Sequence, residues 1–179
     1  MVRYYPGTDR IKGVLIDFDL ATIGPLTTEG HFGRRTGTRP YMARDLLKGG
    51  KTPVHIERFD WESFFYVICW IAAHYSCGEK VESDAFKEWD EENDNKLRDT
   101  KATLLGGFTT LRRVFTEFYK PLVSLWMLDL QNMFGEAVKL KDQLEDAQTE
   151  TPGDKTFEFD AETVRGTITW EKFWGILQK

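Results

Sequence analysis

Two aspartates near the start of the chain have the residue type and spacing needed to bind a metal ion. Asp17 and Asp19 flank Phe18, directly after the apolar run at residues 14–16. A run of β-branched and aliphatic residues that ends in carboxylates is typical of a buried strand, which we expect over residues 13–21. Ligands and metals bind at the carboxyl ends of strands in α/β proteins. The stretch therefore predicts carboxylates that face a ligand or metal.

The composition favours a single domain with a substantial core and excludes some classes of partner. The 179 residues are 41% apolar and 14% aromatic, so we expect one domain over residues 1–179. A net charge of -5 argues against nucleic-acid binding. The most apolar stretch, residues 64–73, is too short to span a membrane, and the first residues lack the apolar core of a secretion signal. We expect an intracellular protein, cytoplasmic or nuclear.

The cysteines and histidines do not predict a metal site. Cys69 and Cys77 are eight residues apart on one predicted helix, which separates their Cα atoms by about 12 Å, too far for a disulfide. His31, His55 and His74 stand at no metal-ligand spacing from either cysteine. We expect two reduced thiols and no zinc.

The elements around the aspartates are one short strand and many helices. Residues 1–12 predict a loop or hairpin, residues 22–39 an extended loop, and residues 42–47 a short helix. A helix over residues 60–77 should begin with Asp60 as its N-cap and end at Gly78. Because apolar residues occur all round this helix, we expect it to be buried on most sides.

Residues 83–179 predict a helical extension. Ser83 and Asp84 can cap a short helix through Trp89, and the acidic run 90–94 should lie on the surface. Apolar spacing predicts a helix over 108–118 and a second helix from Pro121 to residue 130, with a continuation or a third helix to residue 144. A linker should follow over 148–155, and apolar spacing predicts a closing helix over 170–177. The fold class is therefore mainly α with a small β element (α+β).

Three phrases in order identify a family resemblance. Residues 15–21 (Leu-Ile-Asp-Phe-Asp-Leu-Ala), 35–43 (Arg-Thr-Gly-Thr-Arg-Pro-Tyr-Met-Ala) and 60–67 (Asp-Trp-Glu-Ser-Phe-Phe-Tyr-Val) resemble the fungal-type protein kinase family. The resemblance begins at the D-F-G-like segment, so it implies the helical C-terminal lobe of a protein-kinase-like fold. It also implies ATP and Mg²⁺ as cofactors and phosphoryl transfer to serine or threonine hydroxyls of protein substrates.

The resemblance assigns the first phrase to nucleotide and metal binding. Asp17 matches the D-F-G aspartate that binds the magnesium ion bridging the phosphates, and Phe18 matches the aromatic residue that packs beside it. Asp19 replaces the usual glycine, which stiffens the backbone at that position. The strand-end alternative for Asp17, a side chain that caps a turn, stays open.

The loop after this phrase resembles an activation loop, over residues 22–45. Thr27, Thr28 and Thr36 are candidate phosphosites, because Arg34 and Arg35 stand near them in sequence.

Three further residues receive supporting roles from the resemblance. Thr38 matches the threonine that helps to hold the catalytic centre and the substrate hydroxyl. Asp45 stands at the glutamate of the A-P-E motif, where a carboxylate forms a buried ion pair. Asp60 matches the aspartate that caps the central helix and braces the catalytic loop.

The parts of a kinase that the sequence lacks predict an inactive chain. No Gly-rich loop, strand lysine or H-R-D catalytic loop occurs in the 179 residues, so ATP and the substrate hydroxyl would lack their main contacts. Alternatives are a truncated gene product, a pseudokinase-like interaction module that exposes apolar surface, or a haloacid-dehalogenase-like phosphatase. The phosphatase is disfavoured because Ala21 stands where that family has Thr or Val, and because no β/α alternation follows.

Overall fold

The computed structural model describes residues 2–4, 11–13, 37–50, 53–107, 110–150 and 160–179. This part of the chain is mainly helical, with two short antiparallel strand pairs, which confirms the predicted α+β class. The chain divides into two compact units, residues 1–32 and 33–179.

The first unit contains a strand pair. β1 (Val2–Tyr4) pairs antiparallel with β2 (Ile11–Gly13), and Val2 stands opposite Gly13. Of the two alternatives predicted for residues 1–12, a loop or a hairpin, the paired strands agree with the hairpin, and β2 continues to Gly13. The predicted strand over 13–21 lies outside the described residues except for Gly13.

The second unit is built on α1 (Glu57–His74), and two predictions about this helix were wrong. The helix begins three residues before Asp60, with Ile56 at the N-cap position. The first turn is helical because Phe59 is buried and its N–H donates to the Ile56 carbonyl. At the other end the chain leaves the helix after His74, so Gly78 does not end it.

A tight hairpin follows α1. β3 (Tyr75–Ser76) pairs antiparallel with β4 (Glu79–Lys80), with Cys77 and Gly78 at positive φ between them. Cys77 is therefore exposed in a turn and not on the helix that carries the buried Cys69, which corrects the prediction, although both thiols are free as expected.

Helix α1 is also less enclosed than predicted. One face is buried and carries Phe65, Tyr66 and Cys69. On the opposite face Phe64 is 44% exposed and Ile71 is 39% exposed. The helix therefore has apolar residues on all of its faces but is not buried on all of them.

A second long helix, α2 (Asp94–Leu105), follows a 3₁₀ turn at Lys87–Asp90 and was not predicted. The Asn93 side chain caps α2 by accepting from the N–H groups of Asn95 and Lys96. The acidic run 90–94 is mostly exposed as expected, but Asp94 begins this helix.

The helix expected over 108–118 is only the short α3 (Leu111–Val114). Phe115 takes an extended conformation, and the Thr116 N–H donates to the Ala72 carbonyl of α1. This contact with α1 replaces the next helical turn and leaves Phe118 53% exposed.

The last helices follow the predicted spacing closely. α4 (Lys120–Leu122), a π turn (Val123–Met127) and α5 (Leu128–Glu150) form one continuous helical run with Pro121 in its first turn. α5 extends to Glu150, past residue 148 where the linker was expected to begin, and the rest of the predicted linker lies outside the described residues. The closing helix α6 (Trp170–Leu177) is confirmed, with Thr169 as its N-cap.

Helices α2 and α5 pack closely where Gly135 faces the Leu105 carbonyl. A Cβ at Gly135 would lie 2.1 Å from that oxygen.

None of the helices in the described residues combines the length and the hydropathy needed to cross a membrane.

Candidate functional site

The candidate site is formed by residues 37–48, which we call the anchored segment. It contains two 3₁₀ turns, Arg39–Tyr41 and Arg44–Leu47. Pro40 suits the first turn because its φ angle is fixed near the helical value. The buried apolar side chains of the segment are Met42, Ala43, Leu46 and Leu47. Its polar atoms bond to α1, α2 and α5.

Asp45 links the anchored segment to α1 and α5. One carboxylate oxygen lies 2.6 Å from the Arg58 guanidinium, and the other lies 2.6 Å from the Lys141 ammonium. Burial by itself would raise the pKa of Asp45, but the charges of Lys141 and Arg58 outweigh it, so the pKa is lower than its ordinary value. Asp45 therefore remains a carboxylate held between two cations.

Glu62 is a second buried acid, on α1. Its carboxylate accepts from the backbone N–H of Arg44 at 2.7 Å and from the Tyr66 hydroxyl at 2.6 Å. Burial and the nearby charge of Asp45 raise the pKa of Glu62. The Arg44 side chain pairs with Asp142 of α5 at 3.2 Å. The second 3₁₀ turn is thus fixed at both its backbone and its side chains.

Lys101 of α2 holds the first part of the anchored segment. Its ammonium donates to the carbonyls of Met42 at 2.6 Å and Pro40 at 2.9 Å, and it lies 3.6 Å from the centre of the Tyr66 ring. Burial lowers the pKa of Lys101 to about 7, although the negative charge of Glu62 opposes this change.

The structure brings some of the predicted site residues together and separates others. Thr38 lies exposed at the start of the anchored segment, where its carbonyl accepts from the Tyr41 N–H at 2.8 Å. Asp45 lies in the buried ion pair described above. Asp60 is exposed and pairs with His55 at 2.9 Å, so the prediction that it caps α1 was wrong. Its predicted role in bracing a catalytic loop stays a prediction.

The metal and phosphosite predictions fall outside the described residues. These positions are Asp17, Phe18, Thr27, Thr28 and Thr36. Within the described ranges, no group of three or more His, Cys, Asp or Glu side chains is arranged to hold a metal ion. The predicted magnesium site at Asp17 therefore stays a prediction.

Several residues of the site were not predicted from sequence. Arg58, Glu62 and Lys141 contact residues of the anchored segment that lie at least 13 residues away in sequence, so no local pattern shows these contacts. Lys101 does leave a signal, because it falls on the buried face of α2 together with Leu97. A charged residue on an apolar helical face is expected to have a partner.

Comparison with known protein families gave a match to the first part of the chain. Residues 1–72 match the family model described as fungal protein kinase. These residues include β1, β2, the anchored segment and most of α1, and over them the match confirms the resemblance found in the sequence. No curated protein and no solved structure matched the chain.

Proposed function

We propose that the chain is the helical C-terminal part of a protein kinase domain that phosphorylates serine or threonine hydroxyls of protein substrates. The observation that carries this proposal is the buried Asp45–Arg58 pair, which lies downstream of the D-F-G-like phrase within the matched residues. A kinase requires a rigid segment at this point of the chain, because phosphoryl transfer depends mainly on the positioning of its reactants.

The anchored segment meets that requirement. Three helices fix it through Glu62, Lys101 and Lys141, while Thr38 at its start stays exposed. In the proposed role Thr38 holds the substrate hydroxyl, and the ion pairs of Asp45 keep the anchored segment in place.

The nucleotide and metal roles rest on the first phrase of the family. In an intact domain Asp17 would bind Mg²⁺ on the ATP phosphates, and Phe18 would pack beside it. Phosphorylation of Thr27, Thr28 or Thr36 would act on the loop between this phrase and the anchored segment.

The 179-residue chain by itself should not transfer phosphate, because it contains no catalytic-loop base and no strand lysine. The test incubates the purified chain with labelled ATP, Mg²⁺ and a mixture of serine and threonine peptides. We expect no incorporation above that of the Asp17→Ala variant. Sustained incorporation that Asp17→Ala abolishes would contradict the proposed inactivity of the isolated chain.

A second candidate function is a non-catalytic interaction module, which the exposed aromatic side chains favour. Phe64 is 44% exposed, Trp170 47% and Trp174 45%, and the two tryptophans stack on each other. Light scattering after size-exclusion chromatography and the binding of a hydrophobic dye test this function. A monomer that does not bind the dye would count against it.

A further inference from the structure

We propose that Lys101 is a positioning residue that sets the conformation of the anchored segment beside Thr38, and this inference rests on the kinase function proposed above. Its ammonium donates hydrogen bonds to the carbonyls of both Pro40 and Met42, at 2.9 and 2.6 Å. These carbonyls lie two and four residues after Thr38, so Lys101 determines where that part of the backbone stands.

The geometry suits lysine in particular. Two carbonyl oxygens and the Tyr66 ring lie close to a single nitrogen atom, and the Trp89 ring centre is 5.4 Å away from it. An ammonium is a compact charge with three donors and fits such a cage. A guanidinium is planar and larger, so arginine should not replace lysine here.

The charge on Lys101 has partners beyond the two carbonyls. Glu62 and Cys69 of α1 face it, and the negative charge of Glu62 favours its protonated form. Glu62 also accepts from the backbone N–H of Arg44. Lys101 and Glu62 therefore hold neighbouring carbonyl and N–H groups of the same segment, from two different helices.

The first test substitutes Lys101→Met and measures hydrogen exchange of backbone amides in the full chain. Lys96→Met is the matched control, because Lys96 lies on the same helix and its side chain is 70% exposed. We expect exchange at Tyr41 and Met42 to rise about tenfold or more in Lys101→Met, with α1 amides changed by less than about twofold.

Two exchange results would overturn the inference. One is an unchanged rate at Tyr41 and Met42. The other is an equal rise across α1, which would show a general loss of stability and not a positioning role.

The second test uses the unsubstituted chain, so it does not depend on whether Lys101→Met folds. The Nζ chemical shift of Lys101 and the carbonyl carbon shifts of Pro40 and Met42 are followed by NMR as the pH is raised. We expect all three to change with one shared midpoint. Carbonyl shifts that stay constant while Lys101 titrates would overturn the inference.

Neither test needs ATP or catalytic activity. A negative result therefore removes the role of Lys101 and leaves the kinase proposal standing. Conversely, a failure of phosphoryl transfer in an intact domain would remove the kinase proposal and leave the contacts of Lys101 as measured.

Discussion

Replacement of Asp45 by Asn should destabilise the fold strongly. The substitution keeps the shape of the side chain but removes the charge that Arg58 and Lys141 share, both at 2.6 Å. Asp45 and Arg58 are exposed by only 8% and 6%, so Arg58 would be left buried without a counter-charge. Lys141, which is 14% exposed, would keep only the more distant carboxylate of Glu145, at 3.8 Å. Loss of one partner from a buried ion pair costs about 3–5 kcal/mol. We expect the lower end of this range, because the amide oxygen of Asn still accepts a hydrogen bond.

The chain offers a matched control in Asp129→Asn. Asp129 lies 2.6 Å from Lys179, the same distance as in the buried pairs, but these side chains are 42% and 57% exposed. An exposed pair contributes about 0–1 kcal/mol. Comparison of the two Asn variants therefore isolates the effect of burial from the effect of distance.

The assay is urea unfolding followed by circular dichroism and by tryptophan fluorescence. Asp45→Asn should lower the free energy of unfolding by about 3 kcal/mol, and Asp129→Asn by less than about 1 kcal/mol. Equal losses in the two variants would refute the reasoning that burial makes the Asp45 pair important.

The pH dependence gives an independent check on the same residue. The pKa of Asp45 is lower in the folded chain than its ordinary value, so its contribution to stability is present above that ordinary value. The contribution is lost as the pH falls below about 4 and through the folded pKa. The unsubstituted chain should therefore lose more stability than Asp45→Asn in this range.

Two further predictions concern the glycines and the buried lysine. Gly135→Ala should lower the free energy of unfolding in urea by about 1–3 kcal/mol, because its Cβ would meet the Leu105 carbonyl oxygen. The control is Gly175→Ala in α6, where a Cβ meets nothing within 4 Å. This variant should be neutral or more stable by up to about 1 kcal/mol. The pKa of Lys101 falls to about 7 on folding, so the unfolded chain binds more protons above that pH. Relative to Lys101→Met, the unsubstituted chain should gain stability between pH 7 and about 10, by at most about 1.4 kcal/mol per pH unit, as measured by unfolding at each pH.

Local patterns in the sequence predicted the elements whose cause is local. The spacing of Trp170, Phe173 and Trp174 predicted α6, and Pro121 marked the start of the long helical run that leads into α5. Both rest on side-chain periodicity or backbone restriction within a few residues, which a single sequence carries.

The elements that could not be predicted depend on contacts between distant residues. α1 extends before Asp60 because Phe59 and Arg58 are buried there, and Arg58 finds its partner in Asp45. The helix expected through Phe118 is cut short by a backbone bond to α1.

The same distinction holds for the candidate site. Asp45 was found through a family phrase, whereas its cation Lys141 lies almost a hundred residues later in the chain. Lys101 and Glu62 act on backbone atoms of the anchored segment, and a sequence pattern does not show which backbone atoms a side chain will reach.

The central claim is that this chain is the helical part of a working kinase domain. The most direct measurement fuses it behind the N-terminal half of a fungal protein kinase domain and follows ATP-dependent phosphorylation of a serine or threonine peptide. The same N-terminal half joined to its own C-terminal part serves as the positive control. We predict transfer by the fusion that Asp17→Ala abolishes. A folded fusion that transfers no phosphate, while the positive control is active, would contradict the claim.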